Sequence, residues 1–460
     1  MEEQEVPLFM TLETMTLTDF LDSPFECDCG KSHTSDIKTV EIASGALSKL
    51  PELIRKLGHE KAFVVADSNT YGVAGRKVLE YLQASGIPHE YFLFETLEVV
   101  PDEAAIGSLL MHFDTACDLV IGIGTGTIND MCRFISHRMG RSYFIVATAP
   151  SMDGFASTVA PLITNNLKTT YEAHTPEAII ADLDILADAP MPMIAAGFGD
   201  ILGKSTCLCD WRLSSIINGE YYCETIASMM ELALQRTIAC KDGLINRDKT
   251  AIGQLTEALI LAGIAMSYAG NSRPASGSEH HLSHFWEMRY LFAGRKAVLH
   301  GAKVGIGTVI VLKLYEYLRN AHLDFEKIEA SPTPAMDAGW RQEIERVFGP
   351  AAKEIILLEE KAGKNSPQQR QQRIGSIRKH WKEIQDVINT LPTASEAEEL
   401  LLDTKGPSRP QAVGLTENTV KESVIYAKEV RNRYTILQLL WDLNLLEPYA
   451  DRVAEFLYRD

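Results

Sequence analysis

The chain has 460 residues, of which 46% are hydrophobic, 23% charged and 8% aromatic. Those proportions exclude disordered, collagenous and low-complexity classes. Lys and Arg number 44 against 62 Asp and Glu, a net charge of −18, which makes the chain a poor polyanion binder overall, so nucleic acid is not an expected partner, while a local basic pocket for one small phosphate stays open.

The length favours two or three domains with a core each. The N-terminus reads Met-Glu-Glu-Gln-Glu, without the basic and apolar regions of a secretory signal. Eight cysteines are too sparse for a disulfide scaffold. The longest nearly unbroken apolar run, Ala258 to Met266, is about half a membrane span. A cytoplasmic protein without a membrane partner is therefore expected. Residues 1–36 read as an N-terminal extension. Within it, Cys27-Asp28-Cys29-Gly30 and His33 offer three candidate metal ligands, and a small loop is the better reading.

From residue 37 to 195 short apolar runs alternate with amphipathic stretches. Strands are predicted at Thr39–Ile42, Ala62–Ala66, Tyr91–Phe94, Leu119–Ile123, Tyr143–Thr148 and Ala178–Ile180. Helical patterns such as Ala46–Leu57 and Gly75–Ala84 lie between them. The alternation indicates βαβ units and a parallel sheet, hence an α/β dinucleotide-binding domain over 37–195. From 196 to 460 the patterns are helical: Glu224–Ala239, Gly253–Ala269, Lys303–Asn320, Arg373–Leu391, Glu417–Val430 and Thr435–Leu443. Thr393 and Glu396 form a capping box that starts a helix. The polar stretch Lys361–Gln372 reads as an exposed loop or helix end.

Three polar segments follow predicted strands. In Gly122-Ile-Gly124-Thr125-Gly126-Thr-Ile-Asn129-Asp130 the glycines let a ligand approach the backbone, and the helix start can cradle a pyrophosphate. The pattern is not G-x-G-x-x-G, so an ordinary Rossmann site is not supported; a plain tight turn is the alternative. Asp67, in Val65-Ala-Asp67-Ser-Asn69, either accepts bonds from the ribose hydroxyls of NAD, repelling the 2′-phosphate of NADP, or caps a helix. The third segment is Thr148-Ala-Pro150-Ser151-Met-Asp153-Gly154-Phe-Ala-Ser157. Three such loops converge on one edge of a sheet.

Of 12 histidines, four fall close together: His280, His281, His284 and His300. His280 and His284 are four apart and share a helix face. Imidazoles suit Zn²⁺, Ni²⁺ or Fe²⁺. Asp200, in Gly197-Phe-Gly199-Asp200, is the best oxygen donor. The alternative is that the histidines line a helix surface and Asp200 caps the next helix.

Taken in order, Gly122–Asp130, Thr148–Gly154, Gly197–Asp200, Ser276-Gly-Ser-Glu-His280 and Leu299-His300-Gly301 resemble the sn-glycerol-1-phosphate dehydrogenases. That family stands among the iron-type alcohol dehydrogenases, glycerol dehydrogenases and dehydroquinate synthases. Leu415-Thr-Glu and Val430-Arg-Asn-Arg-Tyr-Thr435 extend the resemblance to the C-terminus. It implies a dehydroquinate synthase-like fold, an α/β nucleotide-binding domain followed by an all-α domain, with a metal in the cleft between them. It assigns the metal to Asp200, His280 and His300. It gives the cofactor to Gly124, Thr125, Gly126, Asp130, Thr148 and Ser151, with Asp67 on the ribose. Asp153 and Ser157 would lie where cofactor and substrate meet. The chain looks longer than a typical member, with surplus at 1–36 and around 325–410.

The resemblance implies reversible reduction of dihydroxyacetone phosphate by NADH, with NADPH as the alternative donor and one divalent metal, Zn first, then Ni or Fe. The ketone would be polarised by the metal. His284 is a candidate proton relay and Asp153 its rival. Lys204 and Arg273 are candidates for the substrate phosphate. A homodimer is expected from the many helical faces. The rival readings are a dehydroquinate synthase-like lyase and a polyol dehydrogenase without phosphate specificity.

Overall fold

Near-continuous apolar runs need cover on both faces, which parallel strands between helices supply. The computed structural model describes residues 16–21, 24–96, 98–164, 167–334 and 336–459. Its strands are β1 (Phe25–Glu26), β2 (Ser32–His33), β3 (Thr39–Ala43), β4 (Ala62–Asp67), β5 (His89–Phe94), β6 (Leu119–Gly124), β7 (Ser142–Ala147), β8 (Val159–Thr164), β9 (Leu167–Glu172) and β10 (Ala178–Asp182). Six of them form one sheet in the order β3-β10-β7-β6-β4-β5. Every pairing in it is parallel, and β6 and β10 are buried throughout. Each strand predicted for this sheet is present, its ends moved by one or two residues.

The chain runs from β4 to β5 on one side and then to β6 on the other side of β4. The order therefore reverses between β4 and β6, the place where open α/β sheets bind ligands beyond the strand ends. Asp67 ends β4 and Gly124 ends β6.

The chain divides into two compact units. One holds the described residues of Met1–Leu162, Thr170–Pro190 and Cys223–Ser272; the other holds Ile163–Thr169, Met191–Tyr222 and Arg273–Asp460. This is not a single cut near 195. Helix Lys249–Ala269 packs on the loops of the sheet, and Glu224–Ala239 joins the same unit by packing on that helix. A methyl group on Gly263 would stand 2.5 Å from Ala156 Cβ, and one on Gly253 would stand 3.7 Å from Leu183 Cδ1. Lys249–Ala269 is long and apolar enough to cross a membrane, by length and composition alone. Its apolar residues Leu255, Leu259, Ile260 and Ile264 are buried inside the first unit.

The second unit is helical and its core includes Phe198, Trp211, Trp286 and Tyr315. The capping box forms, Thr393 Oγ1 accepting from Glu396 N at 3.2 Å and Glu396 Oε2 accepting from Thr393 N at 2.7 Å. Lys361–Gln372 is where one helix ends at Ala362 and the next starts at Pro367, the helix-end alternative, but it is not exposed throughout: Lys364, Asn365 and Arg370 are buried. Lys364 Nζ lies 3.1 Å from Glu429 Oε2, and Arg370 donates to Asp442 O at 2.9 Å. Counter-charges and carbonyls far along the chain take these three polar side chains out of water.

Candidate functional site

Two helices of the second unit come unusually close where they carry Asp200 and His300. Met191–Leu202 ends with Asp200 in its last turn, and His300 opens His300–Arg319. A methyl group at Gly301 would stand 1.8 Å from Ala196 O, and one at Gly199 would stand 2.6 Å from Gly301 O. Neither position tolerates a side chain, so the pairs Gly199-Asp200 and His300-Gly301 fix the approach. His280 comes from Ser278–Phe292, which packs on the same helix.

Asp200, His280 and His300 each present a donor atom, all within 4.8 Å of one another. His280 Nε2 lies 3.6 Å from Asp200 Oδ1, longer than a hydrogen bond and suited to two ligands on one ion. Glu279 Oε1 stands 2.7 Å from His280 Nδ1, which places the ring proton there and leaves the Nε2 lone pair toward the cluster. Glu279 also accepts from Gly277 N at 2.7 Å and Thr206 Oγ1 at 2.7 Å. Burial raises its carboxyl above the usual range. Beside it, Asp210 accepts from Ser278 N at 2.7 Å, Tyr315 Oη at 2.6 Å and Ile436 N at 2.7 Å. Burial and then the nearby Glu279 push it up to about 6.

His284 sits one turn along, its ring 5.9 Å from that of His300. Arg431 Nη2 donates toward His284 Nε2 at 3.3 Å. The ring proton is then on Nδ1, 3.7 Å from Glu287 Oε2. Burial lowers His284 to about 3 and His300 to about 3, so both rings are neutral near pH 7. Burial would raise Glu287, but Lys168 at 2.8 Å and Lys303 at 3.5 Å hold it well below the usual range. Burial brings Lys303 down to about 8.

Of the two cations predicted for a substrate phosphate, Lys204 lies in the cluster. Its Nζ is 3.2 Å from Asp200 Oδ1 and 3.0 Å from Ala275 O. Arg273 is engaged with Glu220 at 2.7 Å and Tyr434 O at 2.8 Å. Lys168, Glu287 and Lys303 were not singled out from the sequence, because they come from separate segments without a motif; Arg431 stood inside Val430-Arg-Asn-Arg-Tyr-Thr435 but was given no role there. Glu279 stood inside Ser276-Gly-Ser-Glu-His280, where adjacency to His280 was the available signal.

The remaining predicted residues lie in the first unit, at strand ends. Asp67 caps a short helical turn, accepting from Thr70 N at 2.8 Å, the alternative foreseen for it. Thr125 precedes helix Gly126–Arg138. Gly124 is required by packing, since a methyl group would stand 2.8 Å from Ile128 Cβ, whereas nothing nearer than 3.9 Å faces Gly126. Thr148 N donates to Gly124 O at 3.2 Å, which ties the loop after β7 to the end of β6. Asp130 accepts from Arg133 Nη1 at 2.9 Å, and the same guanidinium donates to Phe155 O at 3.0 Å. Arg133 thus ties the glycine-rich turn to the loop bearing Ser151, Asp153 and Ser157. Ser151 and Asp153 are buried, and Ser157 Oγ donates to Val159 O at 3.2 Å.

Residues 41–190 match the family described as iron-containing alcohol dehydrogenase. A glycerol-1-phosphate dehydrogenase [NAD(P)+] of Halalkalibacterium halodurans is 35% identical over 419 residues, covering 90% of this chain and 95% of that protein. A match that broad takes in part of the 325–410 stretch read as surplus. A glycerol dehydrogenase from Schizosaccharomyces pombe superposes with a TM-score of 0.58 at 14% identity, covering 96% of this chain and 95% of that one. An NADH-dependent butanol dehydrogenase A from Thermotoga maritima gives a TM-score of 0.59 at 14% identity, covering 94% and 99%. These two likenesses show the fold.

Proposed function

The chain belongs to the glycerol-1-phosphate dehydrogenase family of oxidoreductases, and on that premise we propose that it reversibly reduces dihydroxyacetone phosphate to sn-glycerol 1-phosphate. The observation that carries this reading is the convergence of Asp200, His280 and His300, beside more cations than Glu287 alone can neutralise. The donor set fits one divalent ion: a carboxylate and two imidazoles, one of them oriented by Glu279, suit Zn²⁺ first and Ni²⁺ or Fe²⁺ as well.

When bound, the metal supplies a Lewis acid for the ketone oxygen and the nicotinamide of NAD(H) or NADP(H) supplies the hydride. The chain's own residues position and compensate. Glu279 fixes the ring of His280, and Lys204 holds the carboxylate of Asp200. His284, a neutral ring, is the relay for the product hydroxyl: one ring nitrogen gives up a proton as the other takes one up, with Lys303 and solvent as the source; Asp153 is the rival donor. Lys168, Lys303 and Arg431 leave net positive charge beside His284 for the substrate phosphate, whereas Lys204 and Arg273 are matched by Asp200 and Glu220. In the first unit, the strand-end residues Gly124, Thr125, Gly126, Asp130, Thr148, Ser151 and Ser157 would hold the dinucleotide. Asp67 would face its ribose. Cytoplasmic location and a homodimer complete the reading.

The test follows NADH absorbance in zinc-loaded protein with dihydroxyacetone phosphate, with dihydroxyacetone and with no ketone. Consumption with the phosphate ester alone is expected, and Asp200→Ala should abolish it together with one equivalent of bound metal. Equal rates with dihydroxyacetone would favour a polyol dehydrogenase. No consumption with any ketone would favour the lyase.

A further inference from the structure

A second set of metal donors lies in the first unit, built from parts far apart in the sequence. Cys27 and Cys29 occupy the turn between β1 and β2, and His33 ends β2. Cys223 is the residue before helix Glu224–Ala239. The turn is tightly held: Gly30 N donates to Cys27 O at 2.9 Å and Cys27 N to Lys31 O at 3.1 Å. Gly30 takes φ +82°, a conformation that suits glycine. The resulting knuckle faces both thiols of Cys27 and Cys29 toward one point.

The four side chains each present a donor atom, all within 4.8 Å of one another. Cys27 Sγ lies 3.6 Å from Cys223 Sγ, far beyond a disulfide bond of about 2.05 Å. Cys29 Sγ and Cys223 Sγ lie 3.4 and 3.6 Å from His33 Nε2. A tetrahedral ion with metal–sulfur bonds of about 2.3 Å and a metal–nitrogen bond of about 2.0 Å has sulfur–sulfur edges near ~3.8 Å and sulfur–nitrogen edges near ~3.5 Å. These three separations match those edges, and the remaining donor pairs lie within 4.8 Å.

The histidine is prepared for the same role. His33 Nδ1 lies 3.2 Å from Tyr268 O, so the ring proton is there and Nε2 keeps its lone pair for a ligand. The ring stacks on Tyr268 at 5.3 Å and 22°, and His33 is buried. Its orientation is therefore set by packing and a backbone carbonyl, as for a ligand held by its surroundings.

We propose that Cys27, Cys29, His33 and Cys223 form a structural zinc site that fastens the N-terminal hairpin to the start of helix Glu224–Ala239. Three thiolates and an imidazole are soft enough to select zinc over magnesium or manganese. Four protein ligands close the coordination sphere and leave no position for a substrate. The site is thus separate in chemistry from Asp200, His280 and His300, which offer oxygen and nitrogen alone. Zinc binding here contributes directly to the fold, since the ligands meet across 190 residues in the folded chain.

The test uses the full chain. Zinc-loaded protein should hold one equivalent that a thiol-directed mercurial releases, with three thiols titrated per zinc. Replacing zinc by cobalt should give sulfur-to-cobalt charge-transfer absorption and intense tetrahedral ligand-field bands. Asp200→Ala should keep those bands, whereas Cys29→Ser and Cys223→Ser should lose them with one equivalent of metal. If those variants do not fold, the unaltered chain still decides, through the cobalt spectrum and the mercurial titration. Absence of sulfur-to-cobalt absorption, or a disulfide among Cys27, Cys29 and Cys223 in the native protein, would overturn the proposal.

Discussion

Glu279 decides which nitrogen of His280 faces the cluster, because Oε1 stands against Nδ1 at 2.7 Å. Glu279→Gln keeps the size but loses the charge and one of the acceptors that hold Gly277 and Thr206. Loss of such a partner commonly weakens metal binding by about 10–100-fold, and competition with a chelator should read a change of that size. An unchanged affinity would show that packing alone orients the ring. The neutral histidines make a second prediction. In the unfolded chain His284 takes up its proton near pH 6.5, but in the folded chain it does so at about 3. The unfolded state therefore binds more protons between those values, and stability falls as pH drops through the interval. Asp210, raised to about 6, opposes this over part of the range, so the informative comparison is between variants. His284→Asn should lose less of its thermal midpoint than the parent between pH 7 and 5; equal losses would mean that the ring is charged in the fold. Asp200, His280 and His300 were readable because rare residue types stood in a dense, ordered pattern. Lys168 and Lys303 were not, since a cation outside any motif carries no mark of the side chains it meets in the fold.

The helices that carry the cluster depend on bare backbone at their crossing. At Gly301 an added methyl would meet Ala196 O at 1.8 Å, whereas at Gly305 it meets Leu401 Cδ2 at 2.9 Å and Gly199 Cα at 3.3 Å. A carbonyl cannot step aside, but the end of a leucine side chain can. Gly301→Ala should therefore cost at least the ~1–3 kcal/mol typical of overpacking, and should lower metal content as His300 moves from Asp200. Gly305→Ala should be milder on both counts. Thermal unfolding and metal analysis of the two variants check this, and equal effects would remove the crossing as the cause. The strands were readable for a related reason: a run such as Leu119–Ile123 has no polar face, and only a doubly covered sheet accepts it. Within Lys361–Gln372 the helix ends were legible but the burial was not, because Lys364 and Arg370 are covered by carboxylates and carbonyls from remote elements. Cys223 was missed as a partner of Cys27 for the same want of a local signal.

For the whole molecule, the alternation of strand and helix marked the sheet but could not say which helices join it. Residues 223–272 read as helical, yet they cluster with the sheet, because periodicity reports a helix's own faces and not its neighbour. A net charge of −18 likewise describes the surface and not the pocket, where Lys168, Lys303 and Arg431 stand near His284. The proposed assignments separate by unit: the dinucleotide residues fall in one and the metal ligands around Asp200 in the other. Binding to the native state alone adds about 2.7 kcal/mol of stability at a hundredfold excess over Kd, and local opening should register where that free energy is applied. Saturating NADH should therefore slow amide hydrogen exchange first in peptides spanning 119–130 and 142–157. Chelation should quicken exchange in peptides spanning 191–204 and 278–303, and, through the cysteine site, around 25–33. Protection by NADH that appears in the second unit while the strand-end loops stay unchanged would reassign the dinucleotide. Chelation that leaves 191–204 unchanged would remove the metal from Asp200.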